Sequence, residues 1–375
     1  MSDLTPVGGP LASLRIVEFA GLGPAPFACM LLSDMGADVV TIERPGIRLG
    51  EASALVGRGR RVVVCDLKEE SARQPLLDLI ARADVLVEGF RPGVMERLGL
   101  GPEALEKLNA RLIYARMTGW GQDGPLSKAA GHDLNYIAIT GALHAIGPAS
   151  SPVPPLNLVG DYAGGSLYLI SGILAALYER QQSGRGQVID AAISDGVVSL
   201  MTAYQSMILR GDASETRASN LLDGGAPYYA VYRTADARWI SIAALEPKFF
   251  AELCAKIEVR EDLRAAQQDR GRWRDLVDEF TRIFASRTQS AWCELLEGTD
   301  CCFAPVLSLS EAMQHTHQRS RQAFVDIEGV RQPAPAPRFS RTPSAVRTKA
   351  PRTASDISEI TAGWAAASIS SASKT

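Results

Sequence analysis

The first hundred or so residues alternate strand and helix signals, and this alternation constrains the fold more than any other feature. Short β-branched runs such as "LRIVEFA" and "DVVTIER" are separated by helical patterns such as "SARQPLLDLIARA". Strands that alternate with helices predict a parallel sheet covered by helices, with ligands at the carboxyl ends of the strands. A different texture begins near residue 225, where "APYYAVYRTADARWISIAAL" alternates like paired antiparallel strands.

The length of 375 residues favours two domains. We interpret residues 225–315 as a second, smaller α+β domain, because antiparallel strand signals are followed there by helical patterns. The tail after residue 330, "RQPAPAPRFSRTPSAVRTKAPRTAS", is rich in Pro, Arg and Ser. This composition favours an extended surface segment over packed structure.

Several classes of protein are disfavoured by composition. The formal net charge of −3 gives the chain no basic footprint for nucleic acid. No apolar run reaches the ~18 residues of a membrane span, and the N-terminus lacks the layout of a signal peptide. The six cysteines show no C-x-x-C spacing, which disfavours a disulfide framework or a zinc site. We therefore expect a cytoplasmic protein without metal, nucleic-acid partner or membrane partner.

The segment "GLGPAP" has some features of a dinucleotide fingerprint. It follows the first strand, opens a helix, and is followed by Glu43 at the end of the next strand. The third glycine of that fingerprint is missing, and Pro24 and Pro26 remove two backbone N–H donors that a pyrophosphate needs. We therefore expect no nicotinamide and interpret the segment as a strand-to-helix turn.

Among the four histidines, the neighbours of His132 distinguish it as a candidate for proton transfer. It adjoins Asp133 in "GHDLNY", beside an almost wholly apolar stretch. His144 lies in an apolar helical pattern and is predicted to be a core residue. His315 and His317, in "MQHTHQR", are predicted to lie on a solvated polar face.

Two isolated acids are further candidates. Asp161 follows an apolar run and precedes a glycine pair that opens a helix, where a ligand could approach the backbone; the alternative is that it simply caps that helix. Glu246 ends an apolar strand, and the alternative is a helix-start residue before Pro247. A histidine and an aspartate on opposite sides of one substrate carbon would suit proton abstraction and return.

Long motifs along the chain resemble one known family. They include "LRIVEFAGLGPAPFA", "DVLVEGFRPGVMERLGLGPE", "RLIYARMTGWGQDGP", "GHDLNY", "PPLNLVGDYAGG", "SGRGQVIDAAISDG", "LLDGGAPYY", "AALEPKFF" and "TDCCFAPVL", in this order from residue 11 to about 310. Together they resemble the α-methylacyl-CoA racemases, within the CaiB/BaiF (class III) CoA-transferase superfamily. The resemblance implies a 1,1-proton transfer at the α-carbon of a 2-methylacyl-CoA thioester, through an enolate-like intermediate.

The resemblance also implies roles for the candidate residues. His132 and Asp161 correspond to the two proton-transfer bases. In the family the histidine pairs with a glutamate, matched here by Glu246, and the catalytic aspartate pairs with the aspartate matched by Asp133. The neighbours His132 and Asp133 would then belong to two different proton-transfer pairs.

Coenzyme A is the other ligand that the resemblance implies. The family places arginines against the nucleotide phosphates at positions matching Arg44, Arg91 and Arg97, where always-charged, bidentate donors fit. The "GRGRR" stretch adds local positive charge. The remaining expected contacts of the CoA moiety are Cys65, Asp66, Leu67, Lys68, Gly89, Phe90, Gly131, Leu134, Asn135 and Tyr136.

The fold implied by the resemblance is α/β, with a Rossmann-like large domain, a smaller α+β domain and two interlocked chains in a homodimer. The large domain would span residues 1–205 and be completed by a returning segment, 330–375, with linkers at 206–224 and 316–329. The active site would lie between one subunit's large domain and the other's small domain, with no metal and no cofactor beyond the CoA of the substrate.

Two alternatives remain open at this point. A class III CoA-transferase would use Asp161 as a nucleophile and pass through an aspartyl-CoA thioester. A non-catalytic protein would bind CoA esters without exchanging the α-proton.

Overall fold

The computed structural model describes residues 8–49 and 55–372, which divide into two compact units. The first unit comprises Met1–Thr140, Leu156–Leu200 and Ser320–Thr375, and the second comprises Gly141–Pro155 and Met201–Arg319. Residues 141–155 thus group with the second unit. Arg217 helps to explain this grouping, because its side chain donates to the carbonyls of His144 and Pro148 within that unit.

The first unit contains a six-stranded sheet of the predicted parallel kind. Its order is β3-β2-β1-β4-β5-β6, and every neighbouring pair is parallel. The strands are β1 (Arg15–Phe19), β2 (Asp38–Glu43), β3 (Arg61–Val64), β4 (Val85–Glu88), β5 (Ile113–Thr118) and β6 (Val188–Ala192). This arrangement confirms the Rossmann-like α/β prediction. The strand order reverses between β1 and β4, which is where ligands bind in sheets of this type.

Helices, numbered in chain order, connect and flank the strands of both units. They are α1 (Pro24–Asp34), α2 (Glu70–Ile80), α3 (Val94–Arg97), α4 (Pro102–Leu108), α5 (Asp133–Ala138), α6 (Ala142–Ala145), α7 (Leu167–Ser183), α8 (Ile193–Leu200), α9 (Thr202–Arg210), α10 (Pro247–Lys256), α11 (Trp273–Phe284), α12 (Gln289–Leu296), α13 (Leu309–Ala312), α14 (Thr316–Ser320) and α15 (Ile357–Ala372). A π-helical turn, Leu158–Ser166, directly precedes α7.

The C-terminal tail includes a packed helix, α15. Ile360 and Trp364 of α15 are almost completely buried, in the same core cluster as Leu76 and Leu79 of α2. The irregular part is tied to the sheet layer by backbone hydrogen bonds, for example from Ser355 N–H to Val62 O at 2.7 Å. The Pro- and Arg-rich stretch itself, residues 331–355, is irregular after β11 and exposed or half-buried apart from Gln332, as its composition predicted, whereas the apolar helix that follows it is packed.

The "GRGRR" stretch supplies structural ion pairs instead of a ligand site. Arg58 and Arg60 are both buried. Arg58 Nη2 lies 2.5 Å from Asp34 Oδ2, and Arg60 Nη1 lies 2.6 Å from Glu18 Oε2. A buried charge is tolerated when it is paired and hydrogen-bonded. The positive charges of Arg58 and Arg60 are therefore balanced by carboxylates inside the fold.

The second unit contains the predicted antiparallel strands. Its three-stranded sheet has the order β7-β8-β9, formed by Tyr229–Arg233, Trp239–Ala243 and Phe303–Pro305. An aromatic core covers the sheet, with ring contacts among Tyr232, Phe250, Phe280, Phe284 and Trp292. A second antiparallel pair, β10 (Phe324–Ile327) and β11 (Val330–Pro333), follows in the first unit.

The prediction that His144 is a core residue was wrong. It is exposed on α6, and its Nε2 lies 3.1 Å from the carbonyl oxygen of Glu215. The helix is only one turn long, so the apolar pattern around it does not bury a full face. His317 is exposed as predicted, whereas His315 is partly buried and lies 2.9 Å from Glu297.

One helical segment, Leu158–Ser183, is long and apolar enough by length and composition to cross a membrane. Within the first unit it buries Leu169, Ile170 and Ile173. A core helix of an α/β unit shows the same hydropathy, so the absence of a membrane partner stays a prediction.

Candidate active site

A cavity of about 400 Å³ lies at the carboxyl edge of the parallel sheet. The carboxyl ends of four strands and the residues that follow them contribute to it: Gly21–Ala25 after β1, Gly89–Pro92 after β4, Met117–Trp120 at the end of β5, and Ile193 after β6. His132, Tyr136 and Asp161 complete much of the wall. The two predicted bases therefore line one cavity, at the switch point where this sheet type binds ligands.

The π-helical turn Leu158–Ser166 brings Asp161 to the cavity. Ser166 holds this turn against the start of α1, because its hydroxyl lies 2.7 Å from Pro24 O and 3.0 Å from Asp161 O. The alternative that Asp161 caps a helix was wrong, since the residue lies inside the turn and the position before the turn is Asn157. The glycine pair after Asp161 serves packing, because a Cβ at Gly164 would lie only 2.5 Å from a methyl carbon of Val197.

Asp133 and Asp161 are joined by a hydrogen bond. The backbone N–H of Asp161 donates to Oδ1 of the buried Asp133 at 2.6 Å. Gly160 makes this approach possible, since a Cβ there would lie 2.3 Å from the same oxygen. Asp133 thus orients the backbone of Asp161, the residue with which the resemblance pairs it.

The side chain of Asp161 has a different partner, Asn157. The amide Nδ2 of Asn157 lies 3.4 Å from Asp161 Oδ2. Sequence reasoning missed Asn157, although its position four residues before Asp161 in "NLVGD" places the two on one face of a helical turn. This polar residue in an otherwise apolar run was the available signal.

The pKa of Asp161 lies above the ordinary range of an aspartate. Burial is the largest cause, and the negative charge of Asp133 adds to it, whereas the hydrogen bond from Asn157 and the proximity of His132 lower the pKa. A carboxylate with a raised pKa is a better proton acceptor and donor near neutrality than an ordinary one. The environment of Asp161 therefore suits general acid–base chemistry.

His132 stands at the start of α5 and is exposed toward the cavity side of the sheet edge. Its own backbone is extended, and its N–H donates to Oδ1 of Asn135 at 3.1 Å. Asn135 and Leu134 do not line the cavity. Their expected contacts with CoA stay predictions.

Glu246 lies in the second unit, at the junction of β8 and α10. It is the residue before the helix, as the alternative interpretation predicted, and its carbonyl accepts from the N–H groups of Phe249 and Phe250 at 3.0 Å each. Its carboxylate is exposed and makes no capping hydrogen bond. The pairing of this carboxylate with His132 stays a prediction.

Part of the expected CoA-binding set lines the cavity. Its members are Gly89, Phe90, Arg91, Gly131 and Tyr136. The others lie outside it: Arg44 follows β2, Cys65–Lys68 follow β3, Arg97 ends α3, and Leu134 and Asn135 lie in α5. Carboxyl ends of parallel strands meet at one edge, so β2, β3 and β4 present these segments along the same side of the sheet.

Among these residues Cys65 can be assigned a passive role. Its side chain is buried, and burial together with the charge of Asp66 raises the pKa of its thiol. The reactive form of cysteine is the thiolate, which this environment disfavours. Within residues 8–49 and 55–372, no three His, Cys, Asp or Glu side chains are grouped so that they could hold a metal ion.

The chain is similar to known proteins along most of its length. The profile of CoA-transferase family III matches residues 11–356. The chain is 44% identical to the alpha-methylacyl-CoA racemase of Mus musculus over 90% of this chain and 89% of the relative. It is 42% identical to the alpha-methylacyl-CoA racemase of Homo sapiens over 89% and 87% of the two chains.

Solved structures show the same fold. A hypothetical protein from Mycobacterium tuberculosis superposes with a TM-score of 0.79 at 30% identity, covering 95% of this chain and all of the other. A CAIB/BAIF family protein from Brucella suis has a TM-score of 0.79 at 23% identity over 95% of this chain, which supports the fold alone. The family profile spans most of the sequence, and the chain belongs to CoA-transferase family III.

Proposed function

We propose that this protein is a 2-methylacyl-CoA racemase, an isomerase that epimerises the carbon next to the thioester. The observation that carries the proposal is the placement of His132 and Asp161 on one cavity at the switch point of the sheet. The raised pKa of Asp161 supports it. Two relatives at 42–44% identity over most of the chain are alpha-methylacyl-CoA racemases.

The reaction needs only proton transfers. One base removes the α-proton, and the electron pair moves into the C–C bond to give an enolate-like thioester. The conjugate acid of the other base then returns a proton to the opposite face of the same carbon. Because His132 lies at the start of α5 and Asp161 lies in the π-helical turn, the two bases can approach the carbon from two sides.

The CoA moiety would extend along the carboxyl edge of β2, β3 and β4. Arg91 lines the cavity, and Arg44, which follows β2, and Arg97, which ends α3, are both exposed. Guanidinium groups in these positions can bind the nucleotide phosphates with paired, charge-assisted hydrogen bonds. Cys65–Lys68, Leu134 and Asn135 belong to the same proposed surface, and no metal or further cofactor takes part.

Assembly and location complete the proposal. The protein forms an interlocked homodimer in the cytoplasm, in which the partner subunit's Glu246 reaches His132 and orients its ring. The carboxylate of Glu246 is exposed and makes no helix-capping hydrogen bond, which is consistent with a role outside its own unit. Glu246→Gln should then lower kcat more than it changes the KM of the thioester, and the reverse pattern would remove Glu246 from the base pair.

The decisive experiment is proton NMR with (R)-2-methylacyl-CoA in D₂O. We expect α-deuterium to appear together with the S epimer, and His132→Ala and Asp161→Ala each to abolish inversion. Substantial inversion in either variant would contradict the two-base assignment. If no exchange occurs but CoA moves to an added free carboxylate, Asp161 is a nucleophile and the protein is a CoA-transferase.

A further inference from the structure

Tyr136 lies beside the cavity in a position that holds the segment carrying His132. Its ring packs against Gly119 and Gly131, where a Cβ would lie 2.0 and 2.7 Å from ring carbons. It meets Trp120 edge-on, with 4.7 Å between the ring centroids. Side chains larger than hydrogen at positions 119 and 131 would displace this ring.

The hydroxyl of Tyr136 makes a hydrogen bond within the protein. It donates its hydrogen to the carbonyl oxygen of Gly131, the residue that precedes His132. Burial raises the pKa of this hydroxyl, and the negative charge of Asp161 adds to that effect. The group therefore stays protonated and keeps its single hydrogen in this bond, which leaves it no proton to give to a substrate.

A second side chain of the same helix holds the other end of the same peptide group. The peptide between Gly131 and His132 has one carbonyl and one N–H. Tyr136 holds the carbonyl, and Asn135 Oδ1 accepts from the N–H at 3.1 Å. Both polar groups of the peptide unit that leads into His132 are thus bound by side chains of α5, which fixes the plane from which the imidazole projects.

We propose that Tyr136 and Asn135 are positioning residues for His132, acting on the reaction through the orientation of that base, a role separate from any contact of theirs with CoA. The proposal rests on the proposed racemase function. A base displaced by about 1 Å can lose a hundredfold in rate. Loss of the hydrogen bonds to this peptide group should therefore lower the rates of proton transfer by His132 and leave those by Asp161 unchanged.

The test compares inversion with exchange in D₂O. Each base removes the proton of one epimer, so a protein with only one well-placed base still exchanges that epimer's α-proton without inverting it. For Tyr136→Phe, which retains the ring, we expect kcat for inversion to fall about 10-fold or more. The KM should change less than about 3-fold, and exchange without inversion should persist for the epimer that Asp161 deprotonates.

Asn135→Ala should reproduce this pattern, and the double variant should lose little more than the worse single variant, because both act on one peptide group. The matched control is Tyr178→Phe, an exposed tyrosine of α7, which should leave all rates unchanged. Thermal melts of each variant identify a folding defect, and a variant that melts as the wild type but shows no change in either rate overturns the proposal.

Two other outcomes also overturn it. A raised KM at unchanged kcat would make Tyr136 a direct CoA contact. Equal loss of inversion and of exchange from both epimers would place its hydroxyl on a step common to both bases. If the wild-type protein itself exchanges no α-proton, the proposed racemase function fails first, and this inference fails with it.

Discussion

The backbone N–H of Asp161 donates to the carboxylate of Asp133 at 2.6 Å, although the two residues are separated by 27 others in the chain. The contact ties α5 to the π-helical turn, so the element that carries His132 and the element that carries Asp161 share one buried hydrogen bond. It also brings a negative charge close to a carboxylate whose burial already disfavours ionisation. Three predictions depend on this contact, and a fourth concerns two arginines of the same unit.

Asp161→Asn should abolish inversion and stabilise the fold at neutral pH. The folded-state pKa of Asp161 is raised, so its stabilising contribution is present below the unfolded pKa of about 4 and is lost as pH rises through the folded pKa. At pH 7 the ionised carboxylate is therefore unfavourable, and an amide removes that cost. Urea unfolding from pH 4 to pH 7 should show an advantage of the variant that grows with pH.

The matched control for this prediction is Asp195→Asn, an exposed aspartate of α8 in the same unit. An equal gain in both variants would show that the stabilisation comes from the loss of one negative charge and not from the partly buried position of Asp161.

Asp133→Asn should move the acid limb of the rate profile to lower pH. The negative charge of Asp133 raises the pKa of Asp161, so a neutral amide lowers that pKa, while its oxygen can still accept from the Asp161 N–H. Asp133→Ala loses the acceptor as well and should have the lower kcat of the two. The measurement is kcat/KM against pH for both variants, and an acid limb displaced to higher pH would contradict the electrostatic assignment.

Gly160→Ala should impair both stability and catalysis. A methyl group there would lie 2.3 Å from Asp133 Oδ1 and 3.0 Å from a methyl carbon of Ile137, so the carboxylate must shift away from Asp161. Overpacking of this kind costs about 1–3 kcal/mol in the free energy of unfolding. We also expect kcat to fall about 10-fold or more, since the displaced turn carries a base.

Gly363→Ala is the matched control for Gly160→Ala. Gly363 lies in α15 with open space around the position of a Cβ, so alanine should stabilise the helix by about 0.5–1 kcal/mol. Urea unfolding and kcat should be measured for both variants. A Gly160→Ala variant with wild-type kcat would separate Asp133 from the positioning of Asp161.

Arg91→Met and Arg58→Met should differ in the property they change. Arg91 lines the cavity, and loss of a charge-assisted hydrogen bond of about 1.5–3 kcal/mol should raise the KM of the thioester about 10-fold or more at similar kcat. Arg58 is buried against Asp34, and removing one partner of such a pair costs about 3–5 kcal/mol in the free energy of unfolding. Steady-state kinetics and urea unfolding of both variants check this, and a selective rise in KM for Arg58→Met would contradict its structural role.

Much of the fold could be predicted because its signals are local. Strand-forming runs alternate with helical patterns up to β6, and a parallel sheet follows from that alternation. The C-terminal tail could not be predicted in the same way. Its packing depends on partners far along the chain, such as the bond from Trp364 Nε1 to Asp38 Oδ2 at 2.7 Å, and composition alone carries no information on such pairs.

The candidate site also combines features that the sequence predicts with contacts that it does not. Motifs identified His132 and Asp161, and the sheet topology explains why both reach one edge. The contact from Asp161 N–H to Asp133 depends on the local shape of a π-helical turn, which no residue pattern specifies. The contact of Asn157 with Asp161 was not predicted, because a single amide in an apolar run has many structural explanations.

The burial of Ile360 and Trp364 against α2 has a consequence for the order of events during synthesis. All six strands of the parallel sheet have been translated by Ala192, but the helix that covers part of their core begins only at Ile357. At ~5–20 residues per second the interval is on the order of 10 s. During this interval, the surface of Leu76 and Leu79 that α15 covers in the finished fold is still exposed on the nascent first unit. We therefore expect chaperone binding and aggregation to occur most readily in this interval.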